Sequence, residues 1–314
     1  MSLKNPRADS LPLIRDFMVT ISQGIVKRLS DFNLIKPSWS RTRCYHYWSA
    51  MRDLGLAKLE KAKIVLLPLG TRLVRVAQFN RFQSFGTLND AEMEVFRKAF
   101  LKYEPIKRFL TYFISTGESF KNYEQLKKYG ALVKIKRHPE DSRGIVLIDA
   151  SNSERSFSST EARTLRWSLK FWCQDAGIID EIWLEKESWH FQYLVEKNVP
   201  DRVLFPIKKS IKGINLGKFQ KMLDLVIQQH RTYSILLPIL TYCFCKTYFV
   251  TAEDFHSKLI ELYHSDPYHY YLVKGSLADV KENVRARGHE NYPRVDRYLR
   301  NFVIIRKEGT NYGT

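Results

Sequence analysis

Cysteine is scarce in this 314-residue chain: Cys44, Cys173, Cys243 and Cys245 are all it has, and no two make a CxxC pair. A disulfide framework is thereby disfavoured, and reduced, buried thiols in a cytoplasmic protein are expected. Long apolar runs are lacking too. The most apolar stretch, Ser234 to Val250, is interrupted by Pro238 and Lys246 and falls short of the roughly 20 residues a membrane helix needs. It reads as a buried helix or strand pair, and no membrane association is expected. The first residues carry Lys4, Arg7, Asp9, Arg15 and Asp16, which leaves no room for the apolar core of a secretion signal. Catalytic signatures are missing as well: there is no Walker loop, GxSxG or HExxH. The densest metal-like set, Cys243, Cys245, His256, His264 and His269, matches no standard ligand spacing. Asp149, Glu181 and Glu185, or Asp279 with Lys281, form no recognisable strand motif for metal-assisted phosphodiester cleavage. Neither an enzyme activity nor a metal or cofactor is expected.

Acidic residues are also in short supply, 33 against 51 Lys and Arg, for a net charge of +18. The excess runs from Lys4 to Lys307 rather than sitting in one terminal arm. An apolar fraction of 44% with 13% aromatics is enough for packed cores, so the chain is folded rather than a disordered basic tail. A folded protein of this charge suits a polyanionic partner.

What is present is a recurring pattern in which an Arg-rich, aromatic-studded stretch runs into a short apolar strand. It occurs at Arg41 to Leu59, Arg163 to Leu184 and Arg294 to Ile305. Composition divides the chain into segments 1–80, 87–150, 158–205 and 216–314. In the first, Leu11 to Leu29 reads as a helix, and Asp31 to Ser38 as a loop. Cys44, Trp48, Met51 and Gly55 then mark one buried helix face, opposite Arg41, Thr42, Arg43, Tyr45, His46, Ser49 and Arg52. Gly55 ends that helix, and two strands around the tip Glu60 to Lys63 follow, with Lys61 and Lys63 at the turn. In the second segment Asn89 with Glu92 is a capping box, Ser119 to Tyr129 a helix, and Ala131 to Lys136 and Gly144 to Ile148 strands.

The Ser-rich stretch Ser151 to Ser159 reads as a linker. Beyond it, Ser158 and Glu161 cap a helix that buries Leu165, Leu169, Trp172, Cys173 and Ala176 and turns Arg163, Arg166 and Lys170 elsewhere. Gly177 ends it, and Ile178 to Leu184 with Trp189 to Val195 read as a hairpin. In the last segment a helix capped by Thr251 precedes a strand at Tyr268 to Val273, a helix capped by Ser276, a further helix at Tyr292 to Asn301, and a strand at Phe302 to Ile305. Arg294, Arg297 and Arg300, spaced by three, make a cationic ridge on that expected helix, joined by Arg285 and Arg287 across the preceding turn.

This order resembles the winged-helix family, a helix-turn-helix variant in which three helices are followed by a β-hairpin wing. Arg41 to Leu54 stands where the family has its third helix, Leu56 to Leu67 where it has its wing, and Arg163 to Val195 and Thr251 to Ile305 look like further copies. The resemblance implies an α+β, mainly helical fold of tandem winged-helix modules with short wings, and double-stranded DNA as the partner.

The residues alone support the same partner. A helix enters the major groove by one face only, so its basic groups must share that face while the other anchors in a core. Arg41 to Arg52 meets this condition, with phosphate contacts expected to dominate and some base reading by this helix. The second hairpin departs from the pattern, because Asp175, Asp180, Glu181, Glu185 and Glu187 would be repelled by phosphates. Its aromatic 178–195 arms suit a core or a protein partner instead. Two other readings stay open: an adaptor subunit of a nucleoprotein complex in replication, a mobile element or defence, and an RNA-binding protein stacking unpaired bases on Tyr and Trp. A cytoplasmic or nucleoid-associated location fits all of these.

Overall fold

The computed structural model describes residues 8–79, 86–183, 202–228, 234–274, 294–295 and 298–305. The fold is α+β. In chain order the elements are α1 (Leu11–Ser22), a 3-10 turn (Leu29–Asp31), α2 (Phe32–Ile35), α3 (Arg41–Asp53), β1 (Ala57–Glu60), β2 (Lys63–Leu66) and α4 (Pro68–Val76). Next come α5 (Asp90–Phe100), α6 (Glu104–Thr111), α7 (Tyr123–Tyr129), β3 (Val133–Arg137), β4 (Ile145–Ile148) and β5 (Glu154–Phe157). A continuous helix follows, built of α8 (Ser159–Thr164), a π-helical turn (Leu165–Leu169) and α9 (Lys170–Asp175). The remainder is β6 (Ile179–Trp183), β7 (Arg202–Pro206), α10 (Leu216–Gln228), β8 (Ser234–Leu236), α11 (Leu237–Tyr248), α12 (Ala252–Ser265), β9 (Tyr270–Lys274), β10 (Arg294–Val295) and β11 (Tyr298–Ile305). No helix among the described residues is long and apolar enough to cross a membrane.

Two compact units divide the chain, one made of residues up to Ala131 together with Arg137–Ile179, the other of Leu132–Lys136 together with the residues from Asp180 onward. In the first, α1 is the central element: every residue from Leu11 to Ile21 is buried. Its start is fixed by Ser10, whose hydroxyl accepts from the Leu13 amide, and by Asp175, whose Oδ2 accepts from the Leu11 amide at 3.0 Å. Arg15 and Asp16, read from sequence only as charges, lie wholly inside. Arg15 donates from Nε to Asp16 Oδ1 at 2.8 Å and from Nη1 to Glu92 Oε1 at 3.3 Å and the Thr87 carbonyl at 3.2 Å. Glu92 also accepts the Gln78 and Asn89 amides, so one carboxylate closes the capping box of α5 and neutralises a guanidinium. Burying an ionised group is tolerable only when it is paired in this way, and the pairing still leaves Arg15 Nη2 buried without a hydrogen-bond partner among the described residues.

Two turns repeat the same device. Gly55, at φ +67°, donates to the Arg52 carbonyl while Leu56 donates to Met51; Gly177, at φ +61°, donates to Gln174 while Ile178 donates to Cys173. Both are Schellman ends that need a left-handed residue. Arg97 reads the second one, donating to the Ala176 and Gly177 carbonyls at 2.8 and 3.1 Å.

Several expectations are corrected. The Asp31 to Ser38 loop contains the 3-10 turn and α2, and α1 stops at Ser22 rather than Leu29 because Gly24 turns at φ +72°. α7 begins at Tyr123, where Asn122 and Gln125 make the capping box, not at Ser119. The Ser-rich stretch holds a strand: β5 pairs antiparallel with β4, from Ile145 opposite Phe157 to Ile148 opposite Glu154. The π-helical turn shifts the facing of its own residues and of those after it, so Ser168, Lys170 and Phe171 are buried along with the five apolar residues expected.

The second unit packs β3, β7 and β6, adjacent in that order, and α10, α11 and α12 around one core. β3 lies antiparallel to β7 with Val133 opposite Leu204 and Ile135 opposite Arg202. Phe219, Phe244 and Phe255, one from each helix, meet with ring centroids 4.5 to 6.1 Å apart. The last expected helix is overturned: Arg294–Val295 and Tyr298–Ile305 are strands. β11 pairs with β10, with β8 and with β9, all antiparallel. The helical ridge of Arg294, Arg297 and Arg300 therefore does not form, since a spacing of three shares a face on a helix and not on a strand. Arg285, Arg287 and Arg297, the helix expected at Ser276, and the arm Trp189 to Val195 lie outside the described residues.

Candidate nucleic-acid interface

The expected basic face is built by α3 and the hairpin after it. Cys44, Tyr47, Trp48, Ala50 and Met51 are buried, and Arg41, Thr42, Arg43, Tyr45 and Arg52 are exposed. His46 and Ser49 are half-buried. Ser40 caps the helix through its hydroxyl, which accepts from the Arg43 amide at 3.2 Å. The anchor beneath is aromatic: Phe17, Phe32, Trp39 and Tyr47 pack with centroids 4.8 to 5.7 Å apart. Tyr47 donates to Asp9 Oδ1 at 2.5 Å, and burial beside that carboxylate pushes its hydroxyl well above the ordinary tyrosine range.

The cations on this face are not equivalent. Arg52 donates twice to Asp53 Oδ1, at 2.9 and 2.8 Å, and once to Ser49 Oγ at 3.2 Å, while Ser49 donates to the other Asp53 oxygen. These three side chains satisfy one another, which removes Arg52 and Ser49 from the residues free to meet a ligand. Arg43 lies over the Trp39 ring at 4.2 Å, a stacking that orders the guanidinium and leaves its edge to solvent. Arg41, Lys61 and Lys63 are exposed and make no ion pair among the described residues. β1 and β2 pair from Ala57 opposite Leu66 to Glu60 opposite Lys63, so Lys61 and Ala62 form a two-residue turn with φ +46° and +63°. Positive φ at both positions marks a type I′ turn, whose twist matches the strands.

Sequence reasoning missed three contributors. Lys27 and Arg28 are exposed and run beside β2, because the Ile64 amide donates to the Lys27 carbonyl at 2.9 Å. Asp31 holds that segment by accepting both the Lys27 and Arg28 amides at 2.8 Å, which lowers its pKa. Lys36 approaches the Trp39 ring at 5.9 Å. The basic dipeptide was visible after Gly24, but its place beside a hairpin formed much later was not.

Other expected contacts fare differently. Arg163 is exposed on α8. Lys170 is buried, with Nζ 4.6 Å from the Phe171 ring, and does not face solvent. Of the acidic residues taken to repel phosphate, Glu185 and Glu187 lie outside the described residues, and the other three are internal partners. Asp175 caps α1, Asp180 accepts the Ala252 amide at 2.9 Å, and Glu181 is buried 3.6 Å from Arg202. Burial is the main reason Asp180 is pushed up to about 6. Ile179 and Ile182 are core residues, so the described part of the 178–195 hairpin packs inside the chain rather than offering a surface for a partner.

Among the described residues no group of three or more His, Cys, Asp or Glu is placed to hold a metal. Cys245 is buried, and His256 shares a 2.9 Å hydrogen bond with Thr241. No protein-family model, curated protein or solved structure matches the chain.

Proposed function

We propose that the chain is a non-enzymatic double-stranded DNA-binding protein whose first unit grips phosphates with α3, the β1–β2 hairpin and the segment at Lys27 and Arg28. One observation carries the reading: Arg41, Arg43, Lys61 and Lys63 stay exposed on a helix and hairpin whose opposite faces are anchored in the core around α1. The winged-helix reading agrees with this local order of helices and hairpin. Base reading recedes, because Arg52 and Ser49 are bound to Asp53. Binding is then dominated by phosphate neutralisation and is steeply salt-dependent.

Replacing Arg41, Lys61 and Lys63 together by Ala is expected to weaken duplex binding and to flatten the plot of log K against log salt by about 0.9 for each phosphate no longer neutralised. Arg52→Ala should change little beyond local stability. Fluorescence anisotropy with a labelled duplex across a salt series measures both. An unchanged slope in the triple variant refutes the assignment.

A further inference from the structure

Outside the α3 face, the second unit holds an ordered set of lysines and aromatic rings. Lys208 lies over Phe249 with Nζ 4.1 Å from the ring centroid, and Lys209 over Tyr248 at 5.0 Å. Two successive ammonium groups thus cover two successive rings at the end of α11. The backbone locks the register, since the Lys208 amide donates to the Phe249 carbonyl at 2.9 Å and the Phe249 amide donates to Cys245 at 2.8 Å. Phe249 is held at φ +54°, a conformation a bulky residue adopts only against steric resistance. Tyr248 is tied to α10 by donating to the Met222 carbonyl at 3.1 Å, and the exposed Lys221 precedes that residue. Neither Lys208 nor Lys209 meets a carboxylate among the described residues. Asp254, the nearby acid, is taken up by Ser210 at 2.9 Å and Lys212 at 3.6 Å.

A phosphate ligand alone would need only the ammonium groups. Two rings fixed beneath them, Phe249 by its backbone and Tyr248 by its hydroxyl, suit a partner that presents flat faces as well as charge. We propose that this is a second nucleic-acid site, selective for unpaired strands. Bases stack on Phe249 and Tyr248, and Lys208 and Lys209 swing from the rings to the phosphates. Duplex bases keep their faces stacked on one another, whereas unpaired ones offer them to aromatic side chains. The proposal rests on the nucleic-acid reading above, but on different residues and a different form of the ligand.

The test uses the full chain with three labelled probes: a 20-nucleotide oligo-dT, the matching oligo-U and a blunt DNA duplex. Lys208→Ala/Lys209→Ala is expected to weaken oligo binding and to flatten its salt slope by about 1.4, two phosphates at about 0.7 each for a single strand. Duplex affinity should stay unchanged. Phe249→Leu is expected to cost about tenfold in oligo affinity, as the loss of one stacked base does, with the salt slope kept. Circular dichroism confirms that each variant is folded, and the lysine double variant provides the test should Phe249→Leu not be. Binding of either oligo with these effects supports the site. The proposal is overturned if the lysine pair lowers oligo and duplex affinity equally, or leaves oligo affinity intact. Wild-type binding to duplex alone overturns it and leaves the α3 assignment standing; oligo binding that survives without duplex binding does the reverse.

Discussion

Acid should loosen the helical core of the second unit through one side chain. His256 is buried on α12, and burial pushes its pKa down to about 3. An unfolded histidine takes a proton near pH 6.5, so below that pH the unfolded chain binds a proton that the folded one refuses, and stability falls as pH drops. Between pH 7 and 5 the loss is about 2 kcal/mol. Asp180, raised to about 6, works in the opposite sense. The folded state holds its proton up to higher pH than the unfolded state does, so this residue's contribution is present in acid and is lost as pH rises through about 6. Over the same interval it returns about 1 kcal/mol. The wild-type second unit should therefore lose only about 1 kcal/mol from pH 7 to pH 5. Asp180→Asn, which keeps an acceptor for the Ala252 amide, should lose about 2 kcal/mol. His256→Gln, which keeps a partner for Thr241, should become more stable in acid. Hydrogen exchange of the peptides covering 237–265, corrected for intrinsic rates, reads these differences. A His256→Gln protein that still loosens as pH falls from 7 to 5 refutes the reasoning.

Other perturbations follow from single contacts. Ala62→Gly should stabilise the hairpin by about 1 kcal/mol, since glycine takes the left-handed conformation without steric cost; slower exchange of the β1 and β2 amides would show it, and no change would refute it. Gly70→Ala should destabilise the first unit by about 3 kcal/mol, because the added carbon would stand 2.1 Å from the Leu56 carbonyl oxygen and 2.4 Å from Met18 Cε. Urea unfolding measures it, and a wild-type midpoint would argue against the close approach of α4. Arg15→Met should cost about 3 to 5 kcal/mol by leaving Asp16 and Glu92 as buried anions. Adding Asp16→Asn and Glu92→Gln should restore much of that loss in the same assay.

Local punctuation was the legible part of the fold. Gly55 and Gly177 end their helices where expected, Asn89 and Thr251 start theirs, and the tip at Lys61 and Ala62 falls between the two expected strands. These signals act within a few residues, so a linear reading finds them. Distant partners decided what it missed. Tyr292 to Asn301 had the charge spacing of a helix, yet β9 and β8 supply ladder partners for the apolar run that ends in Ile305. Lys170 resembled a surface lysine until the π-helical turn moved it inside. On the α3 face, exposure was legible from periodicity. The capture of Arg52 by the next residue in the chain was not, because an adjacent Asp can as well point to solvent.

The position of β3 makes the chain's two units inseparable by a single cut. Residues 132–136 belong with a body otherwise formed from Asp180 onward, so a fragment beginning at Asp180 lacks the strand beside β7, and one ending at Ile179 carries that strand without β7. Synthesis from the ribosome meets the same constraint: β3 emerges long before β7 and must wait for it on that edge. A split protein should therefore be rescued by reuniting the halves, or by supplying a peptide spanning 131–137 in trans.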